Sequence, residues 1–341
     1  MSVLYRKYRP KSFKDVIDQD PIVSVLENEI KLGNVAHAYL FAGSRGTGKT
    51  SVARIFATEV GTSKNDIYEI DAASNNSVDE IRDINEAVHT LPFDSKYKVY
   101  ILDEAHMLSK SAWNAFLKTL EEPPAHVIFI LATTELDKIP ETVQSRCQKF
   151  VFKKPNQKVL RLFSINIAKA EGRELLPESA ELVALLGDGS YRDTHGILEK
   201  VFASTKEKKI AREDVERVSG APRQELVREV LSAIVEKDKS RGLKAIAEAK
   251  KVNADIKILA RLILEHLRFL FLLRLKAGLE DYILEETSED ELNFLKSLAE
   301  KPAKHLTAEI LIKFIDAVDS VNETFIPELP LEIALIESIG E

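Results

Sequence analysis

The chain has 341 residues, more than one ordinary core fills and enough for two or three domains. Apolar residues make up 45% and charged residues 30%, the balance of a helix-rich globular protein, and a net charge of −7 excludes coating nucleic acid by bulk positive charge. Cys147 is the single cysteine, which rules out an internal disulfide framework and a cysteine-rich metal module and fits a reducing cytoplasm.

The N-terminus, MSVLYRKYRPKSF, lacks the apolar core of a signal peptide. Its basic run, Arg6, Lys7, Arg9, Lys11 and Lys14 before Asp15, reads either as a solvated arm or as charge gathered for a partner. Short apolar runs then predict strands at 38–42 (AYLFA), 67–70 (IYEI), 98–102 (KVYIL, with Asp103 at its end), 127–131 (VIFIL) and 150–152. Helical patterns lie between them at 49–60, 77–90, 109–120 and 140–145. Apolar strands alternating with helices predict a parallel sheet covered on both faces, with ligands outside the carboxyl ends of the strands.

After Pro155 the strand signals stop. Helices are expected at 157–170, 177–186 and 192–204, broken by Gly172, Pro177 and the turn at 187–189. From about residue 221 the pattern is helical throughout, at 224–236, 240–250, 255–275, 288–299 and 308–322. The most apolar stretch, 258–275, is interrupted by Arg261, Glu265, Arg268 and Arg274, so it reads as a buried or interface helix and no membrane contact is expected. The expected division is an α/β core over 1–155, a small helical domain over 156–220 and an all-α domain over 221–341.

Gly43-Ser44-Arg45-Gly46-Thr47-Gly48-Lys49-Thr50 fits G-x-x-x-x-G-K-[ST], between a predicted strand and a predicted helix. Glycines let the backbone wrap phosphate without Cβ atoms in the way, and the loop N–H groups and helix N-terminus face the anion. Lys49 would reach the β and γ phosphates, Thr50 would ligate Mg²⁺, and Ser51 completes the turn into the helix. At the end of strand 98–102, Asp103 would hold the same Mg²⁺ and Glu104 would orient or deprotonate the attacking water. His106 completes a DEAH string and reads as a solvated or packing histidine.

At Ser145-Arg146-Cys147 the reading narrows. The string LATTELDKIPETVQSRCQKF (131–150) resembles the stretch from sensor 1 to the arginine finger in AAA+ clamp-loader ATPases, among them the gamma/tau subunits of bacterial DNA polymerase III and the small subunits of replication factor C. Tyr8-Arg9-Pro10 with FKDVI (13–17), HAYLFAGSRGTGKTS (37–51), EIDAASNNSVDEIRDI (69–84), FLKTLEEPPAHVIFILATT (116–134) and GDGSYRDTHGILEK (187–200) are similar to the same family, which covers residues 4 to about 200; PELPLEIALIE (327–337) resembles the end of its collar. The resemblance implies an α/β AAA+ core followed by a helical lid and an all-α collar. It implies ATP hydrolysis, with Thr134 at sensor 1, Arg192 at sensor 2 and Arg146 as a finger acting on ATP held by a neighbouring subunit. Tyr8, Arg9, Pro10, Val16 and Ile17 are then candidates to enclose the adenine. The implied partners are other subunits of a pentameric assembly, a sliding clamp, and primer–template DNA held through its phosphates. Residues Ser74, Asn75, Asn76 and Ser77, with Arg82 one turn on, are a candidate DNA grip or simply a capped helix end.

One departure concerns zinc. Gamma/tau subunits usually carry a four-cysteine zinc module before the EIDAAS strand; here the interval 57–66, ATEVGTSKND, is short and without cysteine, so no zinc is expected. The tau-type extension is not present in this sequence. A DEAH helicase is disfavoured because residues 156–341 read as all helix, with no second RecA-like domain. A branch-migration motor of the AAA+ type stays open, and so does a nucleotide-binding scaffold subunit that does not hydrolyse. The intact Lys49, Thr50, Asp103 and Glu104 argue against the scaffold.

Overall fold

The computed structural model describes residues 3–275, 278–303 and 305–340. The chain forms two compact units. One comprises residues 1–159 with 189–193, the other 160–188 with 194–341.

In the first unit, strands β1 (Ala38–Ala42), β2 (Ile67–Asp71), β3 (Lys98–Asp103), β4 (Val127–Thr133) and β5 (Gln148–Val151) form one parallel sheet in the order β2-β3-β4-β1-β5. The pleat divides each apolar run between two cores. Ala38, Leu40, Tyr100, Leu102, Phe129 and Leu131 face Ile81 and Ile84 of helix Val78–Ala87 and Trp113, Phe116 and Leu120 of helix Lys110–Glu121. Tyr39, Phe41, Val99, Ile101, Ile128 and Ile130 face Ile22 and Leu26 of helix Asp20–Leu32 and Val52, Ile55 and Phe56 of helix Lys49–Glu59. These helices are named α1 (Asp20–Leu32), α2 (Lys49–Glu59), α3 (Val78–Ala87) and α4 (Lys110–Glu121) in chain order. Burial on both faces is why the central strands carry no alternating polar residues.

Register lines up the strand ends that matter. Ala42 pairs with Thr133, and Leu102 with Leu131, so the turn after β1, Asp103 of β3 and Thr133 of β4 emerge at the same edge. The short interval between α2 and β2 is closed by Asp66, a buried carboxylate that accepts the Phe93 N–H at 2.6 Å and the Asp94 N–H at 2.9 Å. Burial works to raise this carboxyl, yet the donated hydrogen bonds outweigh it and hold it below the usual carboxylate value.

In the second unit, helix α5 (Gln157–Ala170, beginning in the first unit), α6 (Pro177–Gly187) and α7 (Tyr191–Ser204, whose first turn belongs to the first unit) fall where the sequence patterning expects them. The largest core is organised around the helix Ile256–Arg274, and Leu185 of α6 shares it with Leu226, Val230 and Ile263. Two elements depart from the expectation that strands end at Pro155. Glu174–Leu175 and Lys209–Ile210 pair in parallel, a two-residue ladder too short to show alternation in sequence. Among the described residues no helix is long and apolar enough to cross a membrane.

Candidate nucleotide site

The turn after β1 depends on glycine. Gly43, Gly46 and Gly48 have φ of 148°, 76° and 103°, a region L side chains rarely adopt. A Cβ on Gly43 would stand 2.8 Å from the Phe152 carbonyl oxygen, and one on Gly46 would stand 2.0 Å from the Ser190 hydroxyl oxygen. The Gly46 carbonyl also accepts the Tyr191 N–H at 3.1 Å. Residues 190 and 191 are thereby seated on the phosphate turn. Gly46→Ala is expected to cost about 1–3 kcal/mol of strain, or roughly 5- to 150-fold in ATP affinity, measured by titration with a fluorescent ATP analogue.

Lys49 is buried and folds back on its own turn, its ammonium donating to the carbonyls of Gly43 at 2.7 Å and Ser44 at 2.8 Å. Burial, and after it the positive charge of Arg192, lowers its pKa, while Glu104 and Asp103 oppose that. Thr47 is buried and donates to the Ser44 carbonyl at 2.9 Å, whereas Ser44 and Arg45 are exposed at the mouth of the turn. Thr50, one residue into α2, donates its hydroxyl to the Asp103 carboxylate at 2.8 Å, and the Glu104 N–H donates to the other oxygen of Asp103 at 3.1 Å.

A bound Mg²⁺ fits here. Thr50 and Asp103 bring two hard oxygens together at the phosphate turn, and Mg²⁺ takes one or two protein oxygens with phosphate and water completing its shell. Among the described residues no group of three or more His, Cys, Asp or Glu could hold a metal ion. Burial pushes the Cys147 thiol up to about 12.

Glu104 has a φ of 50°, the left-handed region, and a non-glycine residue held there beside the turn is a strained position of the kind that gathers at functional sites. Thr134 donates to its carboxylate at 3.2 Å. His106 is not solvated: its side chain is 7% exposed and lies between Thr133, Glu104 and Glu135.

The N-terminal segment contributes Arg9, whose guanidinium donates to the Ser51 hydroxyl at 3.1 Å. Its pKa is lowered first by burial and then by the charges of Arg54 and Arg192, against Glu69 and Asp103. Arg9, Lys49, Arg54 and Arg192 therefore form a cationic neighbourhood suited to a polyphosphate. Arg192 also lies over the ring of Tyr5, 6.0 Å from its centroid. The Ile17 carbonyl accepts the Tyr191 hydroxyl at 3.2 Å, Val16 packs on the adjacent core, and Tyr8 and Pro10 are half-buried in the same segment. Tyr5 and Arg54 join the site without any motif of their own, and Ser190 and Tyr191 lie in the string 187–200, where the family resemblance singles out only Arg192.

Two sequence candidates stand apart from this cluster. The Arg146 guanidinium is held by Glu121 and by the Thr142 carbonyl at 2.6 Å, neither of them part of the phosphate group. At the start of α3, Ser77 accepts the Glu80 N–H and Glu80 returns the contact to the Ser77 N–H at 2.9 Å, a closed capping box. Asn75 donates to the Asp71 carbonyl, and Arg82 pairs with Asp79 at 2.9 Å. Asp79 and Glu80 occupy the first turn, which sets negative charge where a phosphate would bind.

Comparison with known proteins bears on the whole chain. The family model described as DNA polymerase III, delta subunit, matches residues 61–156. The DNA polymerase III subunit tau of Bacillus subtilis is 37% identical over a 359-residue alignment that takes in 98% of this chain and 62% of that protein, so the chain spans about three fifths of that relative's length. The DNA polymerase III subunit gamma of Buchnera aphidicola subsp. Schizaphis graminum is 33% identical over 338 residues, 91% of each chain. Among solved structures, the Thermotoga maritima RuvB Holliday junction branch migration motor matches with a TM-score of 0.53 and 23% identity, over 67% of this chain and 80% of that one, a likeness of AAA+ fold alone. Identity to gamma along nearly the full length of both proteins decides the matter: this chain belongs to the DNA polymerase III gamma/tau subunit family.

Proposed function

We propose that the chain is the ATPase subunit of a clamp loader, which uses ATP binding and hydrolysis to open a sliding clamp and load it onto primer–template DNA in the cytoplasm. The observation that carries the reading is the Thr50–Asp103 hydrogen bond of 2.8 Å, which joins the phosphate turn to the strand-end acid beside Glu104. Lys49 exchanges its two backbone carbonyls for the β and γ phosphates. Thr50 and Asp103 would hold Mg²⁺, which when bound would offset charge on the phosphate oxygens. Glu104 orients the attacking water and takes its proton, and Thr134 fixes that carboxylate. Arg192 faces the γ phosphate. The adenine lies against residues 8–17.

Arg146 serves the site of a neighbouring subunit, which is why its partners in its own chain lie away from Lys49. Loss of the γ phosphate releases that bridge and changes the arrangement of subunits. Residues 156–220 act as the lid and 221–341 as the collar of a pentameric assembly. Contact with DNA is to phosphates and so independent of sequence.

ATP hydrolysis by the reconstituted assembly is expected to accelerate when clamp and primed DNA are supplied together, more than with either alone. Hydrolysis indifferent to the clamp, with migration of a branched DNA junction in its absence, would instead support a branch-migration motor.

A further inference from the structure

His106 sits two residues beyond Glu104, with its ring among Thr133, Glu104 and Glu135. Nδ1 lies 3.2 Å from the Thr133 hydroxyl. That hydroxyl also lies 3.2 Å from the Glu135 carbonyl and accepts the Glu135 N–H at 3.0 Å. Nε2 lies 3.2 Å from a carboxylate oxygen of Glu135. That carboxylate is held below its usual range, first by the hydrogen bond from Lys138 and further by the charges of Lys138 and His106. Nδ1 also lies 3.5 Å from the same Glu104 oxygen that accepts the Thr134 hydroxyl, so the ring stands between the two carboxylates.

We propose that His106 is a positioning residue for Glu104, a buried ring that braces the catalytic carboxylate from one side and anchors itself on Glu135 from the other. The inference rests on the ATPase reading above. Glu104 has an unusual backbone conformation and a partly exposed side chain. Thr134 supplies one directional contact, and the His106 ring, set between Glu104 and Glu135, supplies a second that keeps the carboxylate aimed at the phosphate turn. Misplacing such a base by even an ångström slows the chemical step without weakening nucleotide binding. The ring also ties Glu104 to the segment bearing Arg146: beyond Glu135, the Gln144 amide donates to the carbonyls of Leu136 and Ile139, just before Arg146.

Three variants in the full assembly test this. His106→Ala is expected to lower kcat by about 10- to 100-fold, with KM and ATP affinity within about twofold of the parent. His106→Asn places an amide donor where Nδ1 stood, toward Thr133 and Glu104, and is expected to recover most of the rate. His106→Gln places its donor toward Glu135 and is expected to behave like His106→Ala. Parental kcat in His106→Ala, equal recovery by Gln and Asn, or loss of ATP binding in all three variants overturns the assignment, the last by giving His106 a purely structural role. Glu104→Gln run beside them separates the two readings. If it binds ATP without hydrolysing it while His106→Ala turns over normally, only the role of His106 fails. If Glu104→Gln itself hydrolyses at the parental rate, the base role of Glu104 fails and the positioning role of His106 with it; the ATPase reading fails only if the parental assembly hydrolyses no ATP.

Discussion

Arg146→Ala will lower ATP turnover in the assembled complex by about 10³-fold or more and leave ATP binding by the isolated chain nearly unchanged. The asymmetry follows from where the side chain sits. Its partners are Glu121, the Thr142 carbonyl and Ser145, and none of them touches Lys49, Thr50 or Asp103. Removing it therefore leaves the phosphate turn of its own chain intact. On the proposed function, what disappears is a guanidinium that would serve another subunit by neutralising charge developing on the transferred phosphoryl group. Arg146→Lys will restore little, because a point charge does not reproduce the planar, forked donor set that meets phosphate oxygens two at a time. Turnover and equilibrium ATP binding, measured on the same preparations, check both halves of the expectation.

Glu104→Gln will retain ATP and lose hydrolysis by about 10²- to 10⁴-fold. Glutamine has the same shape and still accepts the Thr134 hydroxyl, so the turn and the Mg²⁺ pair are undisturbed. It cannot take a proton from water. Single-turnover measurements with bound ATP will separate this defect in chemistry from any defect in binding, and the variant will hold the assembly in its ATP-bound arrangement.

Much of this site is legible before folding because its chemistry is local. GSRGTGKT sets the phosphate turn by itself: the positive φ values of Gly43, Gly46 and Gly48 and the capture of backbone carbonyls by Lys49 are all determined within eight residues. The strands AYLFA, KVYIL and VIFIL stand out because burial on both faces demands uninterrupted apolar residues, and their ends place Asp103 and Thr133. What escapes the sequence is what depends on distant partners. Tyr191 matters through Gly46 and Ile17, and Arg54 through Arg9 and Glu69. His106 reads as a solvated or packing histidine until Glu135 is brought beside it. The helices Asp20–Leu32 and Arg212–Ser219 lie outside the segments that periodicity assigns, while Glu280–Glu286 and Leu329–Ile339 fall in the stretch from about 221 that reads as helical throughout but gives them no bounds of their own. The first carried usable signals, a proline in its opening turn and Gly33 in left-handed conformation after its end. Its apolar stripe is thin, with only Ile22 and Leu26 fully buried.

Mixing two inactive variants tests the shared active site most directly. Lys49→Ala lacks the phosphate grip but keeps its finger, and Arg146→Ala keeps the grip but lacks the finger. Assemblies formed from both together will recover ATP turnover that neither variant shows alone, because the finger of one completes the turn of the other. Turnover in the mixture no greater than the sum of the two separate rates, with mixed assembly verified, would contradict the claim that neighbouring subunits complete each other's sites.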